Sequence, residues 1–388
     1  MRTWVRAIGR GWVVRDGVPG PDVDEFAEPD RVVAALAGPD AAGDTLLAVQ
    51  HPARTPAALA HGHTVAEALP AARAALKRLI AEHYVPMSDF VALYRIEGPD
   101  GAAAGVLCLV DPAEVGADGL ARVRHTEEVY PEVVAERAAM LAGLGCATSA
   151  AMLVPASDGA ELTARVEWAC ESLGSPRLST SDQAGRRHEL WVVPGGAVQE
   201  YLLASIAAGE LLVADGNHRV AAARDAGRGA LLALVTAGPR LEIGAIHRVL
   251  AGTGLDVAAL SARWRAAGLD VRPSDGAAPS CPGAVVAVAG ETAVRVTLPV
   301  PDGPGPVIDH DVVERVLLRE ALGVDPDGPS VRPLPAGRPA PPDADVVLLL
   351  APVPFADVLA VHAANRRMPR KATYFTPKPR SGLVLADL

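Results

Sequence analysis

The densest concentration of chemistry-bearing side chains in the 388-residue chain is the run Asp215-Gly216-Asn217-His218-Arg219. Four apolar residues, Leu211 to Ala214, lead into it, and an alanine-rich stretch follows. The pattern predicts a strand ending at Asp215, a sharp turn at Gly216 where no Cβ obstructs the backbone, and a helix opening at His218. Asn217 suits a cap or an unusual backbone conformation. The first amides of a helix have no intrahelical acceptor and favour a phosphate or carboxylate. His218 and Arg219 add two donors, and a guanidinium can grip an anion through two parallel bonds. Asp215 is a poor anion ligand by itself. It suits holding Mg²⁺, accepting a proton from a substrate hydroxyl, or orienting Arg219. The same spacing also fits an ordinary strand–loop–helix corner in which Asp215 or Asn217 caps the helix. The run is neither a GxxxxGK phosphate loop nor a dinucleotide fingerprint, since it holds one glycine.

Other candidates lie far off in sequence. Arg124 and His125 follow a Gly-containing turn, and His125 has the near-neutral reference pKa of an acid or base. A polar loop that caps the next helix through Thr126 is the plain alternative. Lys371, Thr373, Tyr374, Lys378 and Arg380 form a basic patch near the end of an acidic chain. That tail can drape across the site and neutralise phosphate charge. Arg54, Arg95 and Arg248 stand at the edges of strand candidates, where surface solvation is the plain reading. His61 and His63 are closely spaced without a visible third ligand. Asp309, His310 and Asp311 fit either a metal or helix capping. No serine nucleophile elbow or patterned cysteine–histidine pair is present.

The elements that must position these residues alternate between helix and strand. TLLAVQ is a short strand candidate and HPARTP is turn-like. VAEALPAARAALKRLIAEHY has helical spacing, with Leu69, Ala72, Leu76 and Leu79 or Ile80 on roughly one stripe. FVALYRIE and AAAGVLCLV read as two strands joined by a Gly-containing turn. PEVVAERAAMLAGLG is a helix with Pro131 in its first turn and Gly143 or Gly145 at its end. SAAMLVP, HELWVVP, LLVAD and ALLALVT are strands. ELTARVEWACESLG, AVQEYLLASIAAG and NHRVAAARDAG are helices. IHRVL is expected to continue the same sheet. CPGAVVAVAGETAVRVTLP reads as a hairpin turning at Gly290, and DVVERVLLREALG as a helix. From about Val331 one strand, one short helix and a basic tail are expected. PVPDGPGP and the proline-rich run after Asp325 are loops by composition. The fold class is α+β, a mixed sheet core with packed helices. Four regions follow: 1–120, 121–250 with the central motif, 251–330, and 331–388 packing on the core.

Composition narrows the function classes. Hydrophobic residues make up 50% of the chain, which excludes general disorder, while aromatics are only 4%, so Ala, Val and Leu must fill the interior. The formal net charge of -10 gives no general attraction for nucleic acid or anionic membrane. A small basic pocket within an acidic protein remains compatible with it. Cys108, Cys146, Cys170 and Cys281 stand too far apart for a zinc or redox pair, so free thiols in a reducing compartment are expected. No apolar stretch has the length of a spanning helix or a signal peptide. A cytoplasmic protein is the default expectation.

The string ADGNHR resembles the ADGHHR segment of the SerB-cotranscribed family, domain of unknown function 1015, with Asn217 at the position of that segment's first histidine. GDTLLAVQHPARTP, RHTEEV, HELWVVP and MPRKATYFTPKPRSGLV resemble further segments of the family, with Glu189 in place of a usual basic residue. PGPDVDEFAEP stands where the family has a proline-tyrosine-aspartate segment. The strand–DGNHR–helix unit is also similar to the phosphate-binding corner of the ParB/sulfiredoxin-like fold. That resemblance implies a nucleotide-binding unit with Gly216, Asn217, His218 and Arg219 on the phosphates, joined by Arg124, Lys371 and Lys378. It implies ATP or another nucleotide with Mg²⁺ on Asp215, and a small-molecule kinase in which Asp215, His218 and His125 serve the chemistry. The acceptor would be a small hydroxyl-bearing metabolite such as a serine-like amino acid. A nucleotide or metabolite sensor, with a loop or homodimer surface that responds, and a phosphoester hydrolase are the alternatives.

Overall fold

A computed structural model describes residues 3–21, 29–41, 44–301 and 305–388. Most of PGPDVDEFAEP and the centre of PVPDGPGP fall outside the described residues. The chain forms two compact units, each assembled from separated stretches. The first takes residues up to Arg124, then Val129–Leu241 and Pro377–Leu388. The second takes His125–Glu128 and Glu242–Thr376. Regions 121–250 and 331–388 are therefore each shared between the units.

The first unit is built on a mixed, twelve-stranded sheet with helices packed on it. Its long strand Tyr84–Gly98 pairs with Ile8–Val14 through its first half. Through its second half it pairs with Gly101–Val110 on one side and Arg187–Pro194 on the other. Leu231–Arg240 runs antiparallel to Gly101–Val110 and parallel to Ala151–Pro155. Leu211–Asp215 lies antiparallel to Ala151–Pro155. Side chains alternate across the sheet with the two-residue period of a strand. Thus Tyr94 and Ile96 enter one core with Leu76, Leu79 and Leu107. Val91, Leu93 and Val106 enter the other with Val166, Val213 and Val220. Helix Val65–His83 opens with a reciprocal Thr64/Glu67 capping box and buries Ala68, Ala72, Ala75, Leu76 and Leu79. Pro131–Leu144 has proline at its first position and left-handed Gly145 at its end.

Expectations change in three places in and beside the first sheet. TLLAVQ forms a helix, Leu46–Gln50, because the Thr45 hydroxyl accepts the Ala48 amide and one face buries Leu46, Leu47 and Val49. So short an apolar run cannot separate helix from strand by periodicity. WVRAIGRGW, left outside the expected elements, supplies the strands Val5–Arg6 and Ile8–Val14. IHRVL, as Ile246–Ala251, belongs to the second unit's sheet and does not continue the first.

The second unit carries a six-stranded antiparallel sheet in the order 271–273, 292–297, 284–289, 344–349, 246–251, 331–335. The expected hairpin turns at left-handed Gly290. Trp264, fully buried, packs with Leu260, Val285, Leu317 and Leu348 and donates to the Leu317 carbonyl at 3.2 Å. The expected helix DVVERVLLREALG starts two residues earlier, at Asp309, and continues as a π-helical run over Val313–Glu320. The proline-rich run after Asp325, expected as a loop, contains the strand Val331–Pro335, and beyond it the chain forms the strands Ala344–Leu349, Tyr374–Thr376 and Val384–Asp387 where one was expected. Among the described residues no helix is long and apolar enough to cross a membrane.

Two motif segments meet inside this unit. The Glu127 carboxylate accepts the amides of Lys371, Ala372 and Thr373 at 3.0, 3.0 and 2.7 Å, and the Thr373 hydroxyl at 2.7 Å. The left-handed backbone at Lys371, φ 55°, turns successive amides toward one acceptor. Glu127→Gln replaces one acceptor oxygen by an amide donor and removes the charge. It is expected to cost about 1.5–3 kcal/mol, the range for hydrogen bonds to a charged group, read as a fall in the denaturant midpoint. His310 is also buried, with Nε2 donating to the Ile246 carbonyl at 2.8 Å. Burial, then Arg248, hold its pKa down to about 3, below the 6.5 of an exposed imidazole. Folding therefore binds fewer protons than unfolding between these values. Stability is expected to be full above pH 6.5 and to fall as pH drops toward 3, and His310→Gln, measured by unfolding at pH 4.5 and 7.5, should flatten that slope.

Candidate functional site

The central corner forms as its residue types dictate. Strand Leu211–Asp215 is buried to its last residue, Gly216 takes φ +90°, and the helix Asn217–Asp225 follows. Arg219 folds back over the glycine: a Cβ there would lie 2.7 Å from Arg219 Nε. Its Nη2 donates to Asp215 Oδ2 at 2.6 Å and its Nη1 to the Ser149 hydroxyl at 2.9 Å. Lys378, from the C-terminal stretch, ion-pairs with Asp215 Oδ1. One carboxylate thus holds a cation on each oxygen. All three side chains are 11–15% exposed, so the cluster is partly dehydrated while keeping one open side. Burial lowers the Arg219 pKa to about 10, which leaves it charged at neutral pH.

That open side is a cavity of about 450 Å³. Arg31, Arg186, Arg219, Lys378 and Arg380 line it, against the carboxylates of Asp182 and Asp215. Ser149 and Ser381 also line it, with their hydroxyls 3.0 Å apart. Arg186 is anchored by Asp100 at 2.7 Å, a bond that raises its pKa further. It also reaches Asp182 at 3.4 Å. Burial alone would raise the pKa of Asp182, but the Arg186 amide, His188 and the Arg186 charge lower it.

Behind this wall runs a hydrogen-bonded chain. The Tyr94 hydroxyl accepts the Arg380 amide at 3.1 Å and lies 2.7 Å from His188 Nδ1. Its own hydrogen is left to donate to Nδ1, which puts the imidazole proton on Nε2, facing Asp182 Oδ2 at 3.2 Å. Burial lowers the His188 pKa against the pull of Asp182 and keeps the ring neutral. A neutral ring between Tyr94 and Asp182 fixes the strand that presents Arg186 without adding charge.

The candidates named from sequence separate on this geometry. Asp215, Arg219 and Lys378 line the cavity, whereas Gly216, Asn217 and His218 are not among its lining residues. His218 Nε2 accepts the Tyr130 amide at 3.0 Å and its ring stacks on Tyr130, so it ties this helix to the start of Pro131–Leu144. Arg124 ion-pairs with Asp118 and Glu210, away from the cavity lining. His125 and Lys371 belong to the second unit. Arg95 pairs with Glu189 and lies over Trp191, and Arg248 is buried against Glu314. Asp309 accepts the Gly283 amide at 2.9 Å while His310 turns to Ile246. Among the described residues no three His, Cys, Asp or Glu side chains group to hold a metal ion. Sequence reading missed Arg31, Ser149, Asp182, Arg186 and His188. The basic pair before HELWVVP was the visible signal for Arg186, and nothing in the spacing pointed to Arg31.

The fold is an α+β protein whose first unit carries an arginine-rich cavity. A family model described as "Protein of unknown function (DUF1015)" matches residues 46–302, and the chain belongs to that family. A search of curated proteins finds no match. Among solved structures, a conserved hypothetical protein from Pyrococcus furiosus is 14% identical, with a TM-score of 0.39 over 73% of this chain and 94% of that one. SbnI with a C-terminal truncation, from Staphylococcus aureus, is 14% identical, with 0.41 over 72% and 87%. A free serine kinase in complex with AMP is 12% identical, with 0.38 over 71% and 92%. Likenesses this distant carry no argument about function.

Gly216→Ala tests the corner. The substitution strains a left-handed backbone and places a methyl group against the Arg219 guanidinium. It is expected to lower stability by roughly 1 kcal/mol or more and to displace Arg219 from Asp215, visible as a changed Arg219 Nε–H resonance. An unchanged resonance would show that the guanidinium does not depend on the bare glycine.

Proposed function

We propose that the first unit binds a nucleotide through its phosphates and transfers a phosphoryl group to a small hydroxyl-bearing metabolite. One observation carries this reading: five cationic side chains line a single cavity with two carboxylates among its described lining residues, in a chain of net charge -10. Cations gathered against the overall charge are the arrangement that recognises a polyanion. The resemblance of the DGNHR corner to ParB/sulfiredoxin-like phosphate sites points the same way.

The internal Asp215 carboxylate holds the place of the guest. Phosphate oxygens compete with it for Arg219 and Lys378, the two cations it now binds. Once they are drawn to the nucleotide, Asp215 is released to accept a proton. The acceptor oxygen then bonds to the terminal phosphorus, the bridging P–O bond breaks, the shortened nucleotide takes the electron pair, and the hydroxyl proton passes to Asp215. Arg31, Arg186 and Arg380 are placed to steady the charge that spreads over the phosphoryl oxygens. Mg²⁺ commonly binds through one or two carboxylates plus substrate phosphates, so the absence of a three-ligand cluster among the described residues is compatible with its arriving on the nucleotide. Asp182 and, where it is not the base, Asp215 are the carboxylates that would meet it, and it would neutralise phosphate charge there.

Calorimetry with ATP, ADP and AMP, with and without Mg²⁺, is expected to show saturable binding that Lys378→Ala weakens about tenfold, the loss of one charge-assisted bond. Asp215→Asn removes the internal competitor. It should tighten AMP while cutting phosphate transfer to a hydroxy amino acid panel by roughly 10²–10⁴. Absence of nucleotide binding by the natural chain would end this reading. Tight binding without turnover would favour a sensor, and phosphate release that needs no acceptor would favour a hydrolase.

A further inference from the structure

A second cavity of about 280 Å³ in the first unit shares Ser149 and Arg219 with the cationic one. Its character differs. Val32, Val133, Met140, Leu141, Leu144 and Leu232 supply apolar walls. Arg54 and Arg137 also line it, and neither side chain has a hydrogen bond or ion pair among the described residues. Among the described residues Glu136 is the lining side-chain carboxylate and closes no ion pair with either guanidinium, so two cations facing an apolar space favour a guest that supplies counter-charge.

His51 lies in the same wall. Burial, then the charges of Arg137 and Arg54, hold its pKa down to about 4, so the imidazole is neutral at pH 7. Arg137 is itself lowered by burial, and Glu136 and Asp215 pull the other way without closing an ion pair. Gln50 is occupied with the Thr148 hydroxyl at 3.2 Å. With His51 neutral and Arg219 already held by Asp215, the remaining lining side chains Arg54 and Arg137 against Glu136 leave one net positive charge. A single carboxylate balances it, while a phosphate dianion overshoots.

We infer that this cavity is a second ligand subsite for a monocarboxylic acid with an apolar body, its carboxylate between Arg54 and Arg137 and its hydrocarbon against Met140, Leu141 and Leu144. The inference does not rest on the nucleotide reading. It needs the two guanidiniums and the apolar walls, and neither Lys378 nor Arg186. A guest carboxylate placed here also lies beside His51 and must raise that residue's pKa.

The test uses the full chain and four probes: hexanoate, octanoate, octanol and octyl phosphate, titrated by calorimetry. Octanoate is expected to bind, hexanoate about tenfold or more weaker at about fourfold per lost methylene, and octanol at least tenfold weaker. Arg137→Leu should weaken octanoate at least tenfold and leave octanol unchanged, which a misfolded variant could not do. Leu144→Trp should block both by filling the apolar wall. In the natural chain the His51 ring resonances should report a pKa shifted upward by octanoate. No octanoate binding, octanol binding as tightly, octyl phosphate binding more tightly, or indifference to Arg137→Leu would each overturn the proposal. ATP titrated into the same samples reads the cationic cavity separately, so failure of either site is distinguishable from failure of the other.

Discussion

The Asp215 carboxylate holds Arg219 on one oxygen and Lys378 on the other, and the first unit's cavity depends on that clamp. It joins three pieces of chain: the end of a buried strand, the first turn of the next helix, and a tail more than a hundred residues later. Charges so little exposed persist only while each has its partner, because an uncompensated charge away from water costs several kcal/mol. The clamp therefore fixes where the tail crosses the site, and so fixes Arg380 and Ser381 on the cavity wall. It also makes the corner responsive, since any anion that satisfies the two cations frees the aspartate.

The surrounding polar network extends this logic without adding mobile charge. Tyr94 and His188 pass hydrogen bonds from the Arg380 amide to Asp182, and Asp100 and Asp182 steady Arg186. Among the described residues the lining carboxylates, Asp182 and Asp215, are each committed to an arginine or lysine or to the neutral imidazole. The neighbouring apolar cavity departs from the pattern, for the Arg54 and Arg137 side chains have no such commitment among the described residues. Two adjoining spaces in one unit thus differ in charge and wetness while sharing Ser149 and Arg219.

The second unit uses the same kind of interaction for architecture. Glu127 gathers three consecutive amides and a hydroxyl from the segment Lys371–Thr373. These are parts of two strings, RHTEEV and MPRKATYF, that read from sequence as candidate site segments. Their polar residues are equally suited to anchoring a strand, and a carboxylate cradled by successive backbone amides is an internal version of an anion site. The closing motif is in fact divided: residues through Thr376 belong to the second unit and Pro377 onward to the first.

Sequence alone determined what local physics controls. The strand–Gly–helix corner at Asp215, the long helix over Val65–His83, the paired strands ending at Val110 and the hairpin at Gly290 all follow from periodicity and turn chemistry within a few residues of chain. The α+β class followed from their alternation. Only the tertiary structure decided that TLLAVQ is a helix, since a five-residue apolar run takes its conformation from what covers it, and that Ile246–Ala251 leaves the first sheet for another. It also decided which charges share a cavity. Arg31, Ser149, Asp182 and Arg186 reach the side of Arg219 through sheet pairing and chain crossings, and residue spacing carries no record of either. Conversely, His218 stands beside Arg219 in sequence but points to Tyr130, because successive side chains on a helix leave in different directions. Spacing fixes direction within one element; which elements meet depends on burying apolar faces that the chain draws from distant positions.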